Sequence, residues 1–66
     1  MTDNQKSTIS KGAAARGYVA FEKSFKENLA KYDNYARGYA ESLAIMDSIP
    51  DMLEATILAV LDEIDS

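Results

Sequence analysis

The chain contains no cysteine and no histidine among its 66 residues. Without cysteine no disulfide can form, and without either residue the commonest zinc ligands are missing. The thiol nucleophile and the imidazole that usually acts as general base near neutral pH are missing as well. Although carboxylates, lysines, tyrosines and serines remain, we expect no metal, no cofactor and no enzymatic activity.

The chain also lacks a recognisable targeting segment and a long apolar run. Residues 1–8 are polar apart from Met1, and no apolar segment typical of a signal peptide follows. The longest apolar run, residues 57–61, is far too short to cross a bilayer. We therefore expect a cytoplasmic protein that does not bind membranes.

The small size of the chain limits the core that it can form. A chain of 66 residues allows one domain and buries only about 60% of its unfolded surface. Small proteins usually compensate with disulfides, a metal or self-association. Because the first two are not expected here, we predict a homo-oligomer or a protein that is completed by a partner.

The spacing of the aromatic residues predicts a long amphipathic helix. Residues 1–9 have no periodicity and are predicted to be a disordered leader, so that residues 10–66 form the single helical domain. Spacings of 3, 4, 7, 3, 4 and 7 separate the members of a heptad seam: Tyr18, Phe21, Phe25, Tyr32, Tyr35, Tyr39 and Met46. This pattern predicts one helix over about 12–47. Because Asp33 and Asn34 favour turns, the alternative is a three-helix bundle with a turn at 33–34.

A second boundary is predicted at Pro50, which cannot continue a preceding helix but fits the first turn of a new one. Ser48 and Asp51 resemble a capping box at that point. The helix predicted over about 49–64 is apolar on more than one face. The fold class is therefore all-α, a helical hairpin completed by dimerisation, and the predicted self-association residues are Ile57, Leu58, Leu61 and Ile64.

Charge is divided unevenly along the chain. Residues 1–37 contain seven basic and four acidic residues, a net charge of +3, and residues 38–66 contain seven acidic residues and no basic one, a net charge of −7. Three of these acids, Asp62, Glu63 and Asp65, crowd a predicted helix C-terminus, where the helix dipole disfavours negative charge. They are a solvated end, or they face the basic half of this or a second chain, or they dock on a partner protein with a basic surface.

The tyrosines allow two interpretations. A stripe at helical spacing usually packs in a core, whereas exposed tyrosines are enriched at binding hot spots. On the second interpretation, Tyr32, Tyr35 and Tyr39 are partner-binding residues together with Asp62, Glu63 and Asp65. Direct binding of nucleic acid is not expected, because the domain is acidic and its basic residues fall at many angles around the helix.

The tetrapeptide Ala-Arg-Gly-Tyr occurs at 15–18 and again at 36–39. The copies are 21 residues apart, which is three heptads, and this spacing favours a packing role over a recognition motif. On this interpretation Gly17 and Gly38 each allow a neighbouring helix to approach, and Arg16 and Arg37 point towards solvent.

These features favour a non-enzymatic protein-protein interaction module that binds and blocks, or recruits, another protein. A phage or mobile-element inhibitor of the anti-CRISPR or antitoxin type is one concrete version. The alternative is a structural assembly factor that only forms homo-oligomers.

Overall fold

In a computed structural model, described for residues 1–65, the chain folds into two helices. Helix α1 spans Asp3–Ala30, helix α2 spans Arg37–Asp65, and residues 31–36 join them. The helices pack against each other as a hairpin that measures 49 × 18 × 12 Å. The predicted all-α helical hairpin is therefore confirmed, although both of its helices have other bounds than predicted.

Helix α1 begins at Asp3 rather than at about residue 12, because Thr2 and Gln5 form a capping box. The Thr2 backbone N–H donates to Gln5 Oε1 (2.8 Å), and the Gln5 backbone N–H donates to Thr2 Oγ1 (3.1 Å). This segment also lies beside α2, since Ile9 lines a groove together with Val60 and Ile64 of that helix. Residues 3–9 are thus helical, where the sequence predicted a disordered leader.

The reversal of the chain lies inside the segment for which one continuous helix was predicted. The Lys31 N–H donates to the Asn28 carbonyl (3.0 Å) and the Tyr32 N–H to the Leu29 carbonyl (3.1 Å). These three-residue steps tighten the end of α1. Turn-forming Asp33 and Asn34 follow directly, so the predicted single helix over 12–47 is wrong. The turn of the alternative, at 33–34, is where the chain reverses.

Pro50 lies inside α2 and ends no helix. The predicted boundary before residue 49 is therefore wrong, and so is the third helix of the alternative. Ser48 caps nothing, because it is fully buried and its hydroxyl donates to the Ala44 carbonyl (2.6 Å). Pro50 cannot donate to the carbonyl of Met46, but both residues are exposed, so water can bond to that carbonyl.

Small side chains fill the contact between the two helices. Its fully buried members come from both helices: Ala13, Gly17, Ser24 and Asn28 of α1, and Ala40, Ala44, Ser48 and Ala59 of α2. A Cβ added at Gly17 would lie 2.0 Å from Thr56 Oγ1 and 3.2 Å from the Met52 carbonyl oxygen. The backbones therefore approach closely, while Phe21, Phe25 and other large residues at the edges are only half-buried.

A polar network crosses the middle of this contact. The Asn28 side-chain amide donates to Ser24 Oγ (3.1 Å) and to Ser48 Oγ (3.2 Å). Ser24 in turn donates to the Asp51 carboxylate (2.5 Å). Within residues 1–65, every buried side-chain nitrogen and oxygen has a hydrogen-bond partner. Because the network must be satisfied on both helices at once, it selects one register for the hairpin.

Candidate interaction surfaces

The outer face of α2 carries large apolar side chains that are exposed to solvent. Positions separated by 7, 3, 4, 4, 4 and 3 residues share one face of a helix. They form the α2 outer stripe, and 40–66% of each residue is exposed: Tyr39, Met46, Ile49, Leu53, Ile57, Leu61 and Ile64. The stripe runs roughly 37 Å at about 1.5 Å per residue. Helix α2 is thus apolar on two sides, with small side chains towards α1 and large ones towards solvent.

A second exposed surface of α2 is acidic. Separations of 4, 3, 8 and 3 residues place five carboxylates along one side of the helix, the α2 acidic stripe: Asp47, Asp51, Glu54, Asp62 and Asp65. Leu58 fills the gap between Glu54 and Asp62 and is 51% exposed. Leu58 therefore lies among carboxylates, apart from Ile57, Leu61 and Ile64, with which the sequence grouped it for self-association.

Helix α1 supplies some positive charge beside the acidic stripe. Arg16 approaches Asp62 at 4.0 Å, but both side chains are more than half exposed, and such pairs contribute little to stability. Lys23 and Asp51 line a common groove. Basic residues of α1 thus lie beside part of the acidic stripe, while its carboxylates stay exposed to solvent, and the three interpretations of the acidic end remain open.

Three tyrosines cluster at the turn end of the hairpin. Tyr32 and Tyr35 meet edge to face with ring centroids 5.3 Å apart, and Tyr39 follows at 5.7 Å from Tyr35. The Tyr32 hydroxyl donates to the Asp47 carboxylate, and this bond is the main cause of a raised Tyr32 pKa. Tyr35 and Tyr39 are 50% and 58% exposed. They are surface residues, so of the two interpretations the packing of tyrosines in a core does not apply to either of them.

The two copies of Ala-Arg-Gly-Tyr have different environments. Gly17 is buried at the closest approach of the helices, as a packing role requires, whereas Gly38 would meet nothing within 4 Å. Tyr18 is 61% exposed, and its hydrogen bond to Glu22 raises the Tyr18 pKa. The packing interpretation therefore holds for the first glycine only.

The structure separates the residues that the sequence grouped as partner-binding. Tyr32, Tyr35 and Tyr39 lie near the turn, and residues 62–65 lie at the other end of an elongated hairpin. Glu63 points to a groove that it shares with Arg16 and Thr8. The sequence analysis did not assign Met46, Ile49 and Leu53 of the outer stripe to a binding surface. The signal that could have identified them is the helical spacing of the apolar residues, about 3.6 residues, which continues through Pro50.

Neither helix of the described residues is long and apolar enough to cross a membrane. Within the same residues, no group of three or more acidic side chains is placed to hold a metal ion. Comparison with known proteins finds no family model, no curated protein and no solved structure that matches the chain.

Proposed function

We propose that this protein is a non-enzymatic interaction module that binds another protein through a basic surface of that partner, and so blocks or recruits it. The observation that carries the proposal is the distribution of side chains: the hairpin buries alanine, glycine and serine and exposes isoleucine, leucine, methionine and tyrosine. Large apolar patches on a small protein mark interaction sites. A phage or mobile-element inhibitor, of the anti-CRISPR or antitoxin type, is one form that such a module takes.

The α2 acidic stripe supports a basic partner. Its carboxylates extend along one side of a helix that has no basic residue after Arg37. Clustered charge of one sign raises association rates with an oppositely charged surface and selects against acidic partners. Leu58, exposed among these carboxylates, supplies an apolar contact at the centre of such an interface.

Capture from the native host with the immobilised chain tests this function. The matched bait replaces the acidic end by isosteric neutral residues (Asp62→Asn, Glu63→Gln and Asp65→Asn), with the helical content of both baits checked by circular dichroism. We expect a stoichiometric foreign protein on the native bait, and on the neutral bait slower association with a weaker dependence on salt. Capture of no protein other than the chain itself, or equal capture by both baits at all salt concentrations, contradicts the proposal.

A structural assembly factor is the second candidate function. The α2 outer stripe favours it, because this surface is apolar along nearly the whole helix. An assembly factor needs no foreign partner, so the same capture experiment separates the two functions.

A further inference from the structure

From Met46 to Ile64 the α2 outer stripe has the same spacing when it is read from either end: 3, 4, 4, 4 and 3 residues. The six stripe residues of this segment lie in pairs at equal distances from residue 55. Thus Met46 mirrors Ile64, Ile49 mirrors Leu61, and Leu53 mirrors Ile57. When two identical helices pack antiparallel, residues at equal distances from the twofold axis face each other. The stripe is therefore complementary to itself in the antiparallel orientation.

Charge favours the same orientation. The C-terminal end of α2 bears Asp62, Glu63 and Asp65, whereas residues 31–41 contain two basic and two acidic residues and have no net charge. Parallel packing would bring two acidic ends together. Antiparallel packing instead separates the two acidic ends and brings each of them closer to Arg37 of the partner subunit and to the positive N-terminal end of the partner's helix.

The exposed area agrees with the size of a stable interface. The six side chains from Met46 to Ile64, at about 100 Å² each, give on the order of 600 Å² per copy, at the lower end of the roughly 600–1,000 Å² per partner of standard interfaces. Spacings of three and four residues are also those by which helices interdigitate. An isolated hairpin would leave this whole surface in contact with water.

We infer that the occupant of the α2 outer stripe is a second copy of this chain, whose α2 packs antiparallel across a twofold axis near residue 55. The result is a four-helix assembly with both α2 helices in the centre and both α1 helices outside. The inference deepens the proposed interaction function, on which it rests, by assigning the apolar surface to self-association. The acidic stripes then stay free for a foreign partner.

Disulfide trapping tests the orientation, because the natural chain has no cysteine that could interfere. Ile49→Cys and Leu61→Cys are prepared separately, one of them with a tag that changes its mass, and are oxidised alone and as a mixture. We expect a covalent heterodimer from the mixture and little covalent dimer from either variant alone. In the antiparallel orientation each cysteine lies about 18 Å along the axis from its own copy, at about 1.5 Å per residue.

A second pair and a control make the result independent of any one substitution. Met46→Cys mixed with Ile64→Cys should give the same pattern at the ends of this segment, whereas Tyr18→Cys, exposed on α1, should form no covalent dimer. Circular dichroism checks that each variant remains helical.

Two outcomes overturn the inference. Covalent homodimers of each single variant, as abundant as in the mixture, would show a parallel arrangement. No covalent dimer from either pair would show that the stripe does not bind a second copy. In that case the proposed function stands if the native bait still captures a basic protein, and it fails with the inference if nothing is captured.

Discussion

The two opposite faces of α2 differ in what they contain and in what covers them. The face towards α1 has Ala40, Ala44, Ser48 and Ala59, all buried, and the opposite face has the outer stripe, all exposed. In most small domains the large apolar residues are inside and the small or polar ones are free to be outside. Here the small residues form the contact within the chain and the large apolar residues lie outside it. This indicates that the hairpin contact and the exposed apolar surface have different roles.

The face with small residues determines geometry. Small side chains let the backbones approach, and the network of Asn28, Ser24 and Ser48 fixes the register. Because each fully enclosed side chain in this contact is small, each contributes little hydrophobic free energy at about 25 cal/mol per Å². The large apolar side chains of the outer stripe contribute hydrophobic free energy only when another molecule covers them.

The largest effect is expected where the small-residue face leaves least room. Gly17→Leu should destabilise the hairpin by about 3 kcal/mol, because any side chain at this position collides with Thr56 and the Met52 carbonyl. Gly38→Leu is the matched control: it meets nothing within 4 Å, so its effect should stay below about 1 kcal/mol. Urea unfolding followed by circular dichroism measures both. Equal losses for the two variants would mean that close approach does not define this face.

The polar network should have the next largest effect. Asn28→Ala removes the donor to both serines and should cost about 2 kcal/mol, since it leaves buried hydroxyls with fewer partners. Asn34→Ala, in the exposed turn, is the control and should change the free energy of unfolding little. If Asn28→Ala proves as stable as the control, the network does not hold the register.

The smallest effect is expected at the turn end, from the hydrogen bond between Tyr32 and Asp47. This bond raises the pKa of Tyr32 in the folded protein above its value of about 10 in the unfolded chain. Its contribution to the free energy of unfolding is therefore present below about pH 10 and is lost as the pH rises through the folded-state pKa. Tyr32→Phe should therefore melt slightly below the native protein at neutral pH and level with it well above pH 10, while Tyr35→Phe serves as control. If the melting temperature of the native protein exceeds that of Tyr32→Phe by more as the pH rises, this assignment is wrong.

Periodicity was enough to predict the class of fold but not the positions of the helix ends. The all-α hairpin followed from apolar residues at helical spacing, and the turn at 33–34 was visible in Asp33 and Asn34. The heptad spacing continues across Asp33 and Asn34 and therefore favours one long helix. Spacing alone, however, does not show where a chain reverses. Pro50 predicts a helix start, because sequence does not reveal that this proline lies at an exposed position inside α2.

The self-association residues stay a prediction, and they do not all lie on one face. Ile57, Leu61 and Ile64 lie on one exposed face, whereas Leu58 lies among the carboxylates. For the tyrosines the sequence allows a core or an exposed interface, and Tyr35 and Tyr39 are exposed. Sequence could not reveal that alanine, glycine and serine would occupy the contact instead, since that depends on how closely two backbones approach.

The central claim, that the outer stripe is covered by a second copy, is tested most directly by the molar mass in solution. Sedimentation equilibrium at micromolar concentrations should give twice the 7.3 kDa chain mass for the native protein and for Val19→Asp on the exposed face of α1. Ile57→Asp should shift the equilibrium towards monomer, because it places a charge in the middle of an apolar contact. A native protein that is helical, cooperatively folded and monomeric at these concentrations would contradict the account.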